Sequence, residues 1–274
     1  MWNFLAEGKS GATATETLAE LVLELQNLRG QGLSHVPQVA ANTYLLWAEK
    51  AEGMLRDQFE STELARGLQT ERYWQIRNIS QATARPIPLI LAEADEQERR
   101  LKAIHSQLRD YSTRLSLAKD GWLLVLDTNT LIHGRLFDQV EWHRAIDVPR
   151  ATIVVTLVVL DELDRIKDRD PNHGRRARSV LRALDKVTAG KKMLDPVTLR
   201  PKVTLQLLGE PRGHWRQQSQ DDEIIRQAEY FARLNEGRLL ILTRDRGMML
   251  RAQAAELESR LLPAELERVQ ENES

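Results

Sequence analysis

The stretch "GWLLVLDTNTLIHG", residues 121–134, reads as a buried strand that stops on an acid. Trp122, Leu123, Leu124, Val125 and Leu126 are apolar without interruption; Asp127 follows at once, and after Thr128, Asn129 and Thr130 the apolar residues resume. An unbroken apolar run between polar residues is the pattern of a strand covered on both faces, as in a parallel sheet. Outward from it, "ATIVVT" (151–156), "KVTLQLL" (202–208) and "RLLILT" (238–243) repeat the pattern. Segments near 131–146, 157–168, 174–189 and 219–235 lie between them and carry helical spacing. Strands alternating with helices predict an α/β fold, a short parallel sheet flanked by helices. "LLP" at 261–263 is a candidate fifth strand.

The first half has a different pattern. "TATETLAELVLELQNLRG" (13–30) places Leu18, Leu21, Leu25 and Leu28 at spacings of three and four, with Gly30 as its stop. "NTYLLWAEKAEGMLRDQF" (42–59), capped by Asn42 or Thr43, and "TELARGLQTERYWQIRNI" (62–79) are further helices. Pro86 and Pro88 break the chain, and the charged "EADEQERRLKAIHSQLRDYSTRLSLA" (93–118) is a fourth. The reading is an all-α domain over 1–118, a boundary at "AKDG" (118–121), an α/β domain over 121–262 and a charged tail over 263–274.

Composition narrows the function classes. The chain has 274 residues, 42% hydrophobic and 29% charged, enough to bury a core without staples. It has no cysteine, which excludes disulfides, thiolate nucleophiles and cysteine-ligated zinc and fits a reducing compartment. No apolar run reaches the roughly 20 residues that span a bilayer, and "MWNFLAEGKS" lacks the pattern of a secretory leader. A cytoplasmic protein without a membrane is expected. Formal net charge is −1, so any nucleic-acid surface must be local.

Acids gather where such a sheet binds ligands, at the carboxyl ends of its strands. Asp127 ends the first strand, and Asp245 follows "RLLILT" by two residues. Helices that follow strands start at the same edge. "TLVVLDELDRIKD" brings Asp161, Glu162 and Asp164, and "SQDDEIIRQA" brings Asp221 and Asp222 behind the cap Ser219. Each has a plain structural alternative. Asp127 caps a helix, Asp222 completes a capping box, Asp221 complements a helix dipole, Asp245 makes a turn, and Asp161 and Asp164 are solvated. Helical spacing does not select Glu162 over its neighbours. Clustered carboxylates repel and raise one another's pKa. A hard divalent cation, Mg²⁺ or Mn²⁺, relieves this, and such a set suits metal-assisted hydrolysis of a phosphodiester.

Over roughly residues 121–255 the sequence resembles PIN-domain proteins, a family of metal-dependent ribonucleases. "VLDTNTLI" resembles the family's opening strand, with Asp127 at the first acidic position and Asn129 at the small polar position beside it. "TLVVLDELDRIK" resembles a block in which a glutamate precedes a leucine, which selects Glu162. "DDEIIRQA" resembles a block in which an acid is followed at three residues by isoleucine and at seven by alanine. Asp221 fits with Ile224 and Ala228, and Asp222 fits less well, as a further ligand. "ILTRDRGM" supplies Asp245 and, just inside it, Thr243. The resemblance implies a PIN-like sheet and an acidic quartet holding Mg²⁺ or Mn²⁺ to cut RNA. For those family members that are toxins it implies a small inhibitor protein as partner. The helical half falls outside it and offers a surface for that or another protein, or for a homo-oligomer.

Two local stretches suit RNA. "DRIKDRDPNHGRRARSVLRALDKVTAGKK" (164–192) concentrates Arg175, Arg176, Arg178, Arg182, Lys186, Lys191 and Lys192, suited to phosphates, though a solvated helix face accounts for them equally. "GEPRGHWRQQSQ" (209–220) sets Trp215 among Arg212, His214 and Arg216, suited to stacking on a base or to packing under its own loop. "ERYWQIRN" (71–78) mixes aromatic and basic residues at a spacing typical of packing, and His133 and His173 are candidate site neighbours. Two other functions keep the fold: a structure-specific DNA nuclease, disfavoured by the short 164–192 insert, and a non-catalytic RNA- or partner-binding protein, disfavoured by the complete acidic set. Nucleotide-binding glycine motifs are absent, and an aspartyl nucleophile would want an acid where Asn129 stands.

Overall fold

The computed structural model describes residues 5–115, 121–192, 195–210, 216–235 and 238–268. By packing, the chain divides into two compact units, Met1–Ser112 and Thr113–Ser274. The division falls inside a helix that runs to Leu115, a few residues before the boundary expected at 118–121. The helical pattern outlasts the first unit's packing, and helical periodicity alone does not mark where packing ends.

The first unit is built from helices. α1 (Gly11–Asn27) opens on a capping box in which the Ser10 hydroxyl accepts from the Thr13 N–H at 3.1 Å. Its Leu18, Leu21 and Leu25 are fully buried, and a π-helical turn at Leu28–Gly32 ends it. α2 (Pro37–Gln58) starts before the caps expected at Asn42 or Thr43, because Pro37 sits at its first turn, where a missing N–H costs nothing. It packs Tyr44, Trp47, Ala51 and Leu55 inward. The same rule corrects the reading of Pro86 and Pro88 as breakers. They lie in the first turn of α5 (Pro86–Leu115), whose N–H groups have no helical acceptor.

The helix expected over 62–79 is two, α3 (Glu63–Arg66) and α4 (Glu71–Arg77). The Arg100 guanidinium lies where a Gly67 Cβ would stand, 1.8 Å from its Nη1, and donates to the Glu63 and Leu64 carbonyls at 3.3 and 3.2 Å. Thr70 then starts α4 by accepting from the Tyr73 N–H at 3.1 Å.

A polar cluster joins these helices. Glu98 pairs with Lys102 at 2.6 Å and with Arg29, and accepts from Gln26 at 2.8 Å. Lys102 first, then Gln26 and Arg29, pull its carboxyl down to about 2 against the effect of burial. A depressed carboxyl stabilises the fold above its unfolded pKa and loses that contribution as pH falls toward about 2. Glu98→Gln is therefore expected to cost about 1–3 kcal/mol at pH 7, discounted because both cations are partly exposed, and almost nothing near pH 2. Urea melts of both chains across that range check it, and parallel curves would refute it.

The second unit is the expected α/β layer. β1 (Gly121–Leu126), β2 (Arg150–Thr156), β4 (Val203–Leu208), β5 (Leu239–Thr243) and β6 (Glu258–Leu261) are parallel, and β3 (Val197–Arg200) joins β4 antiparallel. The order is β3-β4-β2-β1-β5-β6. β1 and β5 are thus adjacent although far apart in sequence, with Leu126 opposite Leu242. The chain leaves β1 toward β2 and later returns on its other side, which makes their carboxyl ends the topological switch point.

The helix expected over 131–146 is shorter and divided into α6 (Thr128–His133) and α7 (Trp142–Ala145), because Gly134 is extended and pairs with Glu267. α8 (Leu157–Arg169), α9 (Gly174–Thr188), α10 (Gln220–Leu234) and α11 (Arg246–Ala254) complete the layers. The charged tail expected from 263 is folded as far as Arg268. A 3-10 turn at Ala264–Leu266 buries Leu266, four residues beyond buried Leu262. Among the described residues no helix is long and apolar enough to cross a membrane.

Candidate functional site

At the switch point β1 delivers Asp127, which is 3% exposed. One carboxylate oxygen accepts from the Thr130 N–H at 2.7 Å and so caps α6. The other accepts from the Thr243 hydroxyl at 2.5 Å. Thr243 ends β5 and itself accepts from the Asp245 N–H at 2.9 Å. Thr130 donates from its hydroxyl to the Leu242 carbonyl at 3.1 Å. Asp127 therefore caps α6 and is fixed across two strand ends by paired threonines.

Asp245 caps α11, accepting from Gly247 and Met248 N–H at 2.6 and 3.0 Å. Gly247 permits this close turn, since a Cβ there would stand 3.0 Å from the same carboxylate oxygen. Glu162, on the second turn of α8, accepts from the Thr128 hydroxyl at 2.6 Å and, at 2.7 Å, from the Gln220 amide when its nitrogen faces the acid. The Gln220 carbonyl faces Arg165. Asp221, in the first turn of α10, pairs with Arg251 Nη2 at 2.6 Å, and Asp222 with Arg251 Nε at 3.3 Å. Ser219 caps that helix by accepting from the Asp222 N–H, while the Asp222 carboxylate turns to Arg251, so only the serine half of the expected capping box is formed.

Electrostatics link the aspartates. Burial pushes the Asp127 carboxyl above its ordinary range; repulsion from Asp221 adds to this, and the hydrogen bonds from Thr243 and Thr130 oppose it. Asp221 is raised by burial first and by Asp245 and Asp222 as well, with Arg251 opposing. Asp127, Asp221 and Asp245 thus come together at one edge, and Glu162 joins them through Thr128, the residue next to Asp127. Among the described residues, no three acidic or histidine side chains already converge closely enough to hold a metal ion. The donor chemistry does fit one, since every group is a hard carboxylate oxygen suited to Mg²⁺ or Mn²⁺.

Thr243→Val would leave one oxygen of buried Asp127 without its donor. It is expected to destabilise the fold by about 1–3 kcal/mol, read by denaturant melts; an unchanged midpoint would mean that the threonine is not needed there.

The basic residues separate by direction. On α9, Arg175, Arg178, Arg182 and Lys186 lie on the exposed face, opposite buried Ala177, Val180 and Leu184. Arg176 turns the other way and donates to the Ile132 and Gly134 carbonyls at 3.1 and 2.5 Å, closing the end of α6. Arg178 also donates to the Lys167 carbonyl near the end of α8, at 2.5 Å. Arg212, His214 and Trp215 lie outside the described residues. Arg216 pairs with Asp161 and Glu210, each at 2.7 Å, and so links Glu210, just after β4, to α8. Asn129 is exposed in the first turn of α6, and His133 and His173 meet edge to face at 5.0 Å. Sequence reasoning missed Thr128, Gln220 and Arg251. Thr128 stands inside the "DTN" triplet; nothing in spacing marks the other two.

The family model described as "PIN domain" matches residues 124–261, half of the chain. The chain belongs to the PIN-domain family, whose domains are generally nucleases. No curated protein matches it. Among solved structures it is similar to a domain of a functionally unknown protein from Methanocaldococcus jannaschii DSM 2661, at 21% identity over 54% of this chain and 96% of that one, with a TM-score of 0.37.

Proposed function

We propose that the chain is a Mg²⁺- or Mn²⁺-dependent endoribonuclease that hydrolyses RNA phosphodiester bonds at the β1/β5 switch point. One observation carries this reading: Asp127, buried at a strand end, shares its edge with Asp221 and Asp245, acids from distant segments, with Asp221 repelling Asp127 and Asp245 repelling Asp221. A fold gains no stability from such repulsion. Asp127, Glu162, Asp221 and Asp245 would hold the cation, with Asp222 as a further ligand. Bound there, it supplies Lewis acidity toward water and the phosphate oxygens. The protein's own part is positional. Thr243 and the Thr130 N–H fix the rotamer of Asp127, Thr128 and Gln220 orient Glu162, and the caps of α6 and α11 keep two carboxylates at the strand ends. Exposed Asn129 offers an amide to the substrate, and the exposed face of α9 offers cations to its phosphates.

The test is cleavage of mixed RNA and DNA substrates with Mg²⁺, Mn²⁺ or EDTA, with the cut sites mapped. Internal RNA cuts that EDTA and Glu162→Gln abolish are expected. Preference for branched DNA would replace the RNA reading. RNA binding without cutting under every condition would make the chain a binding protein.

A further inference from the structure

Arg251 stands out among the residues at the site because it belongs to no acidic motif and yet holds two acids. It lies in the last turn of α11, the helix that Asp245 caps. Its guanidinium reaches across to α10 and engages Asp221 at 2.6 Å and Asp222 at 3.3 Å. Asp221 carries the repulsion of Asp245 and Asp222, and Arg251 opposes it. The side chains are partly exposed, 49% for Arg251 and 36% for Asp221, so as a surface ion pair this contact contributes little to folding. Its position is more informative than its strength. A cation that took Asp221 Oδ2 as a ligand would have to replace the guanidinium on that oxygen.

We propose that Arg251 is a displaceable counter-ion of the acidic site, a positioning residue that holds Asp221 and Asp222 and sets the affinity for a divalent cation by competing with it. This rests on the metal-dependent reading above. The guanidinium is a planar fork that grips carboxylates from fixed directions, and it does not lose its charge at any pH the protein meets. A cation that binds through Asp221 Oδ2 must therefore break that contact, and one that binds through the other oxygen meets the guanidinium's repulsion. Removing the competitor should raise affinity, whereas removing an equal charge elsewhere on the same helix should not.

The test is Mn²⁺ binding to the full chain, followed by the loss of free Mn²⁺ signal in electron paramagnetic resonance, without substrate. Arg251→Met is expected to bind Mn²⁺ about 3- to 5-fold more tightly than the parent chain, the order of a single partly exposed ion pair. Arg251→Lys, which keeps the charge, should fall back toward the parent. Arg246→Met, which removes an exposed arginine from the first turn of the same helix, should change affinity less than about 2-fold. In EDTA, Arg251→Met should melt below the parent, because the acids lose their counter-ion, and in saturating Mn²⁺ the difference should shrink or reverse. Equal affinities for Arg251→Met and the parent would overturn the proposal and leave the nuclease reading intact. So would an equal gain in Arg246→Met, which marks a general field effect. Absence of Mn²⁺ binding in the parent and in Arg251→Met alike would overturn both.

Discussion

Asp127→Asn is expected to abolish cleavage, by roughly 10³-fold or more, while the metal-free protein becomes more stable. The activity loss follows from replacing the most buried carboxylate of the set with a neutral amide that binds hard cations poorly. The stability gain follows from the sign of its pKa shift. Burial and Asp221 raise the Asp127 carboxyl, so folding binds its proton more tightly than the unfolded chain does. That contribution is fully present below the unfolded aspartate pKa of about 3.9 and is lost as pH rises through the raised folded value. At pH 7, well above the unfolded value, folding the parent chain therefore requires either ionising a desolvated acid or taking up a proton, and the variant requires neither. Asparagine can still cap α6 through its oxygen and donate from its nitrogen to Thr243. In EDTA at pH 7 the variant should melt a few degrees higher, at roughly 2–4 °C per kcal/mol relieved for a domain of this size, and the gap should close toward pH 4. Added Mn²⁺ should reverse the order, since a ligand at 100 times its Kd adds about 2.7 kcal/mol to the parent alone. Equal Mn²⁺ stabilisation of the two chains would remove Asp127 from the metal-binding set.

The sheet was readable from sequence because its strands are covered on both faces. β1, β2, β4 and β5 needed only their unbroken apolar runs, and each begins and ends within about two residues of its expected span. β3 was not readable: "VTLR" is short, half-exposed and held by its pairing with β4. The placement of Asp127 and Asp245 followed from element order, since both terminate parallel strands. Neither strand says that it neighbours the other. The β1/β5 adjacency that joins Thr243 to Asp127 is a topological fact that the structure supplies; the resemblance to PIN domains implied only an acidic quartet on a short parallel sheet. Gln220 and Arg251 stayed hidden for a related reason. Each contacts its acid across a helix–helix boundary, Gln220 from α10 to α8 and Arg251 from α11 to α10, and no local pattern encodes such a contact. The α9 arginines show the limit of composition. Their count suggested one basic surface, but the helical turn between Arg175 and Arg176 sends the second inward to carbonyls.

That division decides how the substrate-holding surface should be tested. Arg176 and Arg178 bond backbone carbonyls at helix ends, so removing them would confound folding with binding. Arg175→Gln, Arg182→Gln and Lys186→Gln together remove three of the four cations on the exposed face of α9 and leave the Arg176 and Arg178 contacts in place. Phosphate contacts act by releasing counterions, with a slope of about −0.7 in log K against log salt for each contact with a single strand. The triple variant should therefore bind single-stranded RNA with a slope about 2 less steep than the parent, and at least about 10-fold more weakly at low salt. Single-turnover cutting at saturating RNA should fall by no more than about 3-fold, because binding made equally in ground and transition states alters affinity and leaves the chemical step alone. Asp127→Asn should show the opposite, with RNA bound at nearly the parent slope and almost none cut. A triple variant with the parent's salt slope would mean that the face is only solvated, as amphipathic helices commonly are. The phosphate path would then have to run over other cations of the second unit. A triple variant that loses cutting at saturation would instead place α9 in the active geometry, and the separation of holding from cutting would fail.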